Sequence, residues 1–219
     1  TKLKSGTVLV VGLGNRGVTP DSLGPRVAER VFVTRHIKEH MPEAFDFDIP
    51  SVCAIAPGVL GVTGVETMDI VFGVANKVKP DLIIAVDALA SRRAARISTT
   101  IQLSDSGISP GSGVGNTRED LSRANLGVPV IAVGVPLVVY ASTISQDTIS
   151  LIADETGLHG DEARLRELAE QVIAKHMGDF IVTPKDIDVI VEDMAGIIAN
   201  AINSALFGNN LEQVRNMLA

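Results

Sequence analysis

Two aspartates in this sequence, Asp21 and Asp87, stand where acid–base chemistry could be carried out. Asp87 directly follows the apolar run 82–86, and Asp21 follows a glycine-rich loop that comes after the predicted buried strand 7–11. Parallel strands of an open α/β sheet end at the same edge, where such folds place their sites. We therefore expect both carboxyl groups to face one crevice.

A pair of neighbouring carboxyl groups can hydrolyse an amide. Two carboxylates within hydrogen-bonding reach do not both ionise readily, so one keeps its proton while the other deprotonates water. The protonated acid then donates to the carbonyl oxygen and to the leaving nitrogen. The residues alone leave a second interpretation open, in which Asp87 caps a turn and Asp21 caps a helix that begins near Ser22.

The same two acids would also suit a divalent cation if a third ligand were available. The candidates are the histidines of the chain, His36, His40, His159 and His176. None of them has a recognisable ligand spacing, and no H-E-x-x-H motif is present. We therefore predict no metal and no cofactor, and a metal-dependent peptidase stays as an alternative.

The loop before Asp21 also matches the G-x-G-x-x-G pattern of dinucleotide-binding proteins through Gly12, Gly14 and Gly17. That pattern needs a helix to open at the loop, so that helical N–H groups meet the pyrophosphate. Here Pro20 keeps the preceding residue extended, and the first amphipathic run begins only near Ser22. The acid expected about 20 residues further on, which would bind the ribose, is missing. We therefore interpret the loop as a scaffold for Asp21.

Other nucleophiles are poorly supported by the sequence. Cys53 is the single cysteine, lies in an apolar run and is predicted to be a buried small hydrophobe, which suits a reducing cytosol. Ser112 lacks the strand–turn–helix context of a G-x-S-x-G elbow. The glycine-rich segment 104–116 is predicted to be a loop, and the amides of its part 111–116 could bind a peptide backbone or an oxyanion.

The elements that must position these residues alternate between strands and helices. Strands are predicted at 7–11, 52–56, 81–86, 98–103 and 128–135, and helices at 22–36, 64–77, 137–153, 161–176 and 184–207. With 46% apolar and 3% aromatic residues, the core is built mainly from aliphatic side chains, as in parallel strands covered on both faces. We predict one three-layer α/β domain over 1–219, with a mostly parallel central sheet flanked by helices.

Composition also excludes some partners. The net charge of −7 without a basic cluster argues against nucleic-acid binding, which needs concentrated Lys and Arg. Residues 124–146 carry no charge and are long enough to span a bilayer. Pro129, Pro136 and neighbouring glycines interrupt this run, so we predict a buried strand at 128–135, a turn at Pro136 and no membrane segment.

The sequence resembles the spore germination protease family, whose members cleave small acid-soluble spore proteins. The resemblance rests on motifs spread over most of the chain: VGLGN at 11–15, VTPDSLGP at 18–25, VTRH at 33–36, PGVLGVTGVET at 57–67, AVDALA at 85–90, GSGVGN at 111–116 and TPKD at 183–186. It implies an aspartic-type endopeptidase, with Asp21 and Asp87 at the positions of the family's two essential aspartates. It also implies a fold similar to that of the nickel hydrogenase maturation endopeptidases, whose corresponding acids hold a metal.

The resemblance further implies a zymogen, a homotetramer and a location in the cytoplasm of the spore core. The family's N-terminal propeptide region is missing, so the chain is expected to be a core fragment. Family substrates are cut after Glu in an acidic motif, which calls for a basic contact from Arg16, Arg92, Arg93 or Arg118. The predicted substrate-binding residues are Asn15, Arg16, Gly111, Ser112, Gly113 and Asn116. The non-enzymatic alternative is a catalytically silent α/β binding module.

Overall fold

The computed structural model describes residues 5–45, 47–109, 120–157, 162–176 and 180–218 of the chain. Its strands are β1 (Thr7–Gly12), β2 (Ser51–Ile55), β3 (Leu82–Ser91), β4 (Gln102–Ser104), β5 (Val130–Tyr140) and β6 (Ile181–Val182). They form a sheet in the order β2-β1-β3-β5-β4, with β6 also paired to β5. The pairs within β2-β1-β3-β5 are parallel, and β4 and β6 run antiparallel to β5. The sheet is therefore mostly parallel.

Helices flank this sheet. They are α1 (Leu23–Ala28), α2 (Arg35–His40), α3 (Leu60–Thr63), α4 (Thr67–Val78), α5 (Arg123–Leu126), α6 (Ala141–Thr156), α7 (Glu162–His176), α8 (Ile187–Phe207) and α9 (Leu211–Leu218).

The core lies in two layers, one on each face of the sheet. Alternate residues of β1 and β3, such as Val10 and Val86, pack with α1, α8 and α9 on one face. The residues between them, such as Val11 and Ala85, pack with α4 and α5 on the other face. Burying a Val, Leu or Ile side chain contributes about 1.5–3 kcal/mol, so strands covered on both faces anchor the fold. The predicted three-layer α/β class is confirmed.

The helix predicted at 22–36 is wrong in its second half. Helix α1 ends at Ala28, and the chain then runs along the edge of β2 before α2 begins. There the N–H of Thr34 donates to the carbonyl of Val52 at 2.9 Å, and the Thr34 hydroxyl donates to the carbonyl of Pro50 at 2.8 Å. The N–H of Phe32 donates to Asn203 Oδ1 on α8 at 2.9 Å. These long-range hydrogen bonds replace the helical ones.

The turn predicted at Pro136 is also wrong, because β5 continues through it to Tyr140 and α6 starts only at Ala141. The pairing of β5 with β3 shifts register just after the pair Leu89–Pro136. Such an irregularity is where a strand tolerates a proline, which has no N–H to donate. The strand predicted at 98–103 shortens to β4, and α4 begins at Thr67 after the short α3.

One helical stretch, Ile187–Leu218, is long and apolar enough to cross a membrane by length and composition alone. Core helices meet the same criteria, and one face of α8, with Val191, Ala195 and Ile198, lies in the hydrophobic core. The stretch is therefore only a weak indication of a membrane span. The uncharged run 124–146 contains all of the mostly buried strand β5 and all of α5 except its first residue, Arg123.

Candidate active site

The loop after β1 is held tightly against the end of the sheet. The N–H of Leu13 donates to the carbonyl oxygen of Val86 on β3 at 2.8 Å. The start of helix α1 packs closely on this contact. A Cβ placed on Gly24 would lie only 2.2 Å from the Leu13 oxygen and 2.5 Å from the Val86 oxygen. A Cβ on Gly12 would in turn lie 2.1 Å from the Gly24 oxygen. Glycine at both positions allows the helix to rest on the backbone of the strands.

Asp21 ends a short 3-10 turn, Thr19–Asp21, that lies between this loop and α1. Pro20 stands in the first part of the turn, where its fixed φ is compatible with the helical geometry. Thr19 belongs to the turn, so the extended residue is Val18 and not Thr19 as expected from Pro20. Gly14 has a φ of +110°, and a Cβ there would lie 2.1 Å from the carbonyl oxygen of Asp21. The N–H of Asn15 donates to Asp21 Oδ2 at 2.7 Å. The glycine loop is thus folded around Asp21, as the sequence predicts.

Asp87 lies within β3 and not at its end, which corrects the prediction that the strand stops at residue 86. The strand continues because β5 still pairs with it as far as Ser91. On the other side, β1 ends where Gly12 pairs with Val86. Asp87 is therefore the first residue of β3 beyond the end of β1, beside the loop that carries Asp21. It is only 5% exposed, and its Oδ1 accepts a hydrogen bond of 2.9 Å from the N–H of Ala88.

Burial dominates the electrostatics of both acids. Burial raises the pKa of Asp87, and the negative charge of Asp21 raises it further. The hydrogen bond from the Ala88 N–H lowers it, and the resulting pKa is about 8. Burial also raises the pKa of Asp21, while the hydrogen bond from Asn15 lowers it. The structure therefore brings the two acids into one electrostatic environment. Near neutral pH this environment favours a neutral Asp87 beside an ionised Asp21.

The side-chain alternation of β3 puts Asp87 on the face that α4 covers, together with Ile83 and Ala85. Ile108 and Leu121 belong to the same side of the core and pair with each other as an isolated antiparallel bridge. The predicted binding residues Gly111, Ser112, Gly113 and Asn116, and Arg118, lie outside the described residues. Their part in a site stays a prediction.

The other predicted binding residues lie near the Asp21 turn. Asn15 is half-buried, and besides its N–H bond to Asp21 its Oδ1 accepts a 2.9 Å hydrogen bond from the N–H of Gly17. Arg16 forms an exposed ion pair with Glu29. Arg92 and Arg93 are exposed just beyond the end of β3. Asn15 thus shapes the loop, and contact of these residues with a substrate remains untested.

Two other kinds of site considered from the sequence, a metal site and a cysteine nucleophile, can be compared with the described residues. Among the described residues, no group of three or more His, Cys, Asp or Glu side chains could hold a metal ion. Cys53 is half-buried, its thiol donates to the carbonyl of Val8 at 3.7 Å, and burial raises its pKa. A raised thiol pKa disfavours the thiolate that a nucleophile needs.

Two features of the site escape sequence-based reasoning. The N–H groups of Asn15 and Ala88 donate to the two carboxyl groups, and backbone donors leave no signal in residue type. The side chains of Ser22 and Arg26 hydrogen-bond to each other directly behind Asp21. Ser22 and Arg26 are four residues apart at the start of a helix, a spacing that allows their side chains to meet. Pairs with this spacing are so common that the sequence does not identify this one.

Comparison with known proteins gives a consistent result. The germination protease family model matches residues 2–164 and 156–217. The germination protease of Clostridium acetobutylicum is 49% identical over 213 residues, which cover 91% of this chain and 65% of the relative. That of Caldanaerobacter subterraneus is 48% identical over 228 residues, which cover 98% and 70%. The chain thus spans about two thirds of the length of the curated relatives that it matches.

Among solved structures, the [NiFe] hydrogenase maturation protease HycI from Thermococcus kodakarensis is similar, with a TM-score of 0.44 and 18% sequence identity. The match covers 89% of this chain and 91% of that protein, but it is too weak to support an argument about function. The family model and the curated relatives carry the assignment, because the model matches almost the whole chain and the relatives are 49% and 48% identical over 91% and 98% of it. On these grounds, the chain belongs to the germination protease family.

Proposed function

We propose that this chain is an endopeptidase that initiates the degradation of small acid-soluble spore proteins during germination, with Asp21 and Asp87 activating water. Membership of the germination protease family supports the peptidase activity. The observation that carries the mechanism is the buried Asp87, whose pKa is raised to about 8 by burial and by the charge of Asp21. Two acids whose pKa values are pushed apart can serve as a general acid and a general base at the same pH.

In this mechanism the two acids have different roles. The ionised Asp21 removes a proton from water as the water oxygen attacks the carbonyl carbon of the peptide bond. Asp87 donates its proton to the carbonyl oxygen at the same time. When the C–N bond breaks, the proton held by Asp21 passes to the leaving nitrogen, and the hydroxyl of the intermediate returns a proton to Asp87. Both acids are then in their starting states.

Recognition of an acidic substrate motif would fall to exposed cations near this edge of the sheet. Arg92 and Arg93 fit this role best among the described arginines, because they follow β3 beyond Asp87 and their guanidinium groups have no acidic partner within the described residues. Arg16 is the weaker candidate, since it already pairs with Glu29. The amides of the segment 111–116 and the side chain of Asn15 would bind the peptide backbone.

We also propose that the protein forms a homotetramer in the cytoplasm of the spore core, without nucleic-acid or membrane partners. Helices α6 and α7 pack on each other and, with the neighbourhood of β6, expose a set of large apolar side chains. These are Leu151, Ile152, Leu165, Leu168, Val172, Phe180, Ile181 and Val182. A large exposed apolar surface is typical of a protein–protein interface. We therefore propose this surface as the subunit contact.

The test is cleavage of a purified small acid-soluble spore protein by the chain and by Asp21→Asn and Asp87→Asn. Loss of a general acid or base lowers the rate by roughly 10²–10⁴-fold, so each variant should be nearly inactive. Asp105→Asn is the matched control, because Asp105 is exposed and lies away from both acids in sequence. Circular dichroism melts should show all three variants folded. Cleavage retained by either site variant would contradict the mechanism, and failure of the complete protein to cleave the substrate would favour the binding module.

A further inference from the structure

A second layer of polar contacts lies directly behind Asp21. Ser22 follows it, is completely buried, and donates its hydroxyl to the carbonyl of Thr19 at 2.8 Å. The same hydroxyl oxygen accepts a 3.0 Å hydrogen bond from Arg26 Nε. Ser22 thereby closes the 3-10 turn on one side and connects it to α1 on the other.

Arg26 in turn is fixed by helix α8. Its Nη1 donates to Glu192 Oε2 at 2.7 Å, and α8 packs against both α1 and the turn that carries Asp21. Glu192 is also bound by Arg30, which forms an ion pair with its carboxylate and donates to its carbonyl oxygen at 2.9 Å. Both arginines lower the pKa of Glu192, so it remains ionised and available to them. A continuous chain of contacts therefore runs from α8 through Arg26 and Ser22 to the Asp21 turn.

We infer that Arg26, held by Glu192, is a positioning residue that fixes the turn of Asp21 and with it the placement of the Asp21 carboxyl group relative to Asp87. The inference rests on the proposed function. A single 3-10 turn is short and has poor hydrogen-bond geometry, so it needs support from its surroundings. A guanidinium group supplies that support because its rigid, planar set of donors reaches the hydroxyl and the carboxylate at once.

Arg30 offers a matched control within the same network. It binds the same glutamate and lies on the next turn of the chain, but no hydrogen bond links it to Ser22. Arg26→Met and Arg30→Met both remove an ion pair with Glu192, and each such exposed pair contributes little to stability. If Arg26 only stabilised the fold, the two variants would behave alike. If Arg26 positions Asp21, only Arg26→Met disturbs the site.

The first measurement is the kinetics of cleavage of a small acid-soluble spore protein. Misplacing a catalytic group by about 1 Å can lower the rate roughly 10²-fold. Partial loosening of the Asp21 turn in Arg26→Met should therefore lower kcat by about 10-fold or more. The KM of Arg26→Met should change little, because the substrate contacts are intact. Arg30→Met should stay within about twofold of the unaltered protein in both constants. Arg26→Lys keeps the charge but not the planar fork, and should lose activity as Arg26→Met does.

The second measurement needs no activity. Among the described residues, Asp21 is the charge that raises the pKa of Asp87. Releasing the turn lets the Asp21 carboxylate move away, so the pKa of Asp87, followed by ¹³C NMR of its carboxyl carbon, should fall in Arg26→Met and Arg26→Lys and stay unchanged in Arg30→Met. Ser22→Ala provides the same test from the other side of the contact if Arg26→Met does not fold.

The outcomes separate the two proposals. An unaltered protein that cleaves nothing would contradict the proposed function, while the NMR titration would still decide the role of Arg26. Normal cleavage by the unaltered protein, with Arg26→Met and Arg30→Met equal in kcat and in the pKa of Asp87, would overturn the positioning role. A fall in kcat and in the pKa of Asp87 confined to the Arg26 and Ser22 variants would support it.

Discussion

Burial and the negative charge of Asp21 together raise the pKa of Asp87 to about 8, although the two residues belong to different strand–loop units. The relationship depends on β1 being shorter than β3. Because β1 ends opposite Val86, its loop turns across the sheet at the level of Asp87. Asp87 is buried and Asp21 is half-buried, so the Asp87 carboxyl group has less access to water.

The first prediction concerns the pH dependence of peptide cleavage. Asp87 must hold a proton to act as an acid, so kcat/KM should fall as the pH rises through about 8. Asp21 must be ionised to act as a base, so activity should also fall at acidic pH, with a midpoint above the usual range of an aspartate. The measurement is kcat/KM between pH 4 and pH 10 in buffers of constant ionic strength. A profile that keeps rising above pH 9 would contradict the role of Asp87.

The second prediction concerns stability. The pKa of Asp87 is higher in the folded chain than in the unfolded chain, where it is near 4, so between these values the folded state binds more protons. Stability due to this group is therefore greatest below pH 4 and is lost as the pH rises towards 8. Each pH unit costs roughly 1.4 kcal/mol in this window.

Asp87→Asn removes this dependence because the amide does not titrate. Relative to the unaltered chain, the variant should gain about 3 kcal/mol in unfolding free energy between pH 5 and pH 7. Urea unfolding at both pH values measures the difference, and Asp105→Asn is the exposed control. If the unfolding free energies of the variant and the unaltered chain differed by the same amount at pH 5 and at pH 7, the pKa of Asp87 would not be raised.

The sequence predicts the proximity of the two acids better than it predicts the elements around them. Two acids after apolar runs, together with the order of parallel strands, are enough to place Asp21 and Asp87 at one edge. Sequence alone does not show that Asp87 lies inside β3, because the strand is extended by its pairing with β5, which is remote in the chain. The end of α1 at Ala28 likewise depends on hydrogen bonds from Thr34 and Phe32 to distant partners. Local propensity carries no information about such contacts.

The third prediction is that cleavage does not require a metal. The described residues include no group of three or more His, Cys, Asp or Glu side chains that could hold a metal ion, and the proposed mechanism activates water with the two acids alone. Exhaustive dialysis against a chelator should therefore leave kcat/KM within about twofold of its starting value. Loss of activity on chelation, with recovery on adding back a divalent cation, would instead support the metal-dependent alternative.

The fourth prediction tests the link between α8 and the segment after α1. Asn203 is 3% exposed, accepts a hydrogen bond from the N–H of Phe32 and donates Nδ2 to the carbonyl of Arg30 at 3.1 Å. Asn203→Ala leaves both backbone groups without these partners, and since the two hydrogen bonds are only partly buried, the expected total cost is about 1–3 kcal/mol. Asn200→Ala, at an exposed position of the same helix, should change stability by less than about 0.5 kcal/mol. Equal urea midpoints for the two variants would contradict the contact.

The fifth prediction tests the close packing that supports the Asp21 turn. A Cβ on Gly24 would lie 2.2 Å and 2.4 Å from backbone atoms of Leu13, so α1 would have to move away from the sheet. Overpacking of this kind costs about 1–3 kcal/mol or more. Because Ser22 and Asp21 directly precede α1, Gly24→Ala should lose activity as well as stability.

Gly73→Ala is the opposite case, which makes the comparison informative. Gly73 is an exposed residue within α4, and a Cβ there would meet no atom within 4 Å. Alanine in a helix interior is favoured over glycine by roughly 0.8–1 kcal/mol, so this variant should be more stable and fully active. Urea unfolding and cleavage assays on both variants decide the matter. If Gly24→Ala had the same stability and the same activity as Gly73→Ala, the packing of α1 on the ends of β1 and β3 would not hold Asp21 in place.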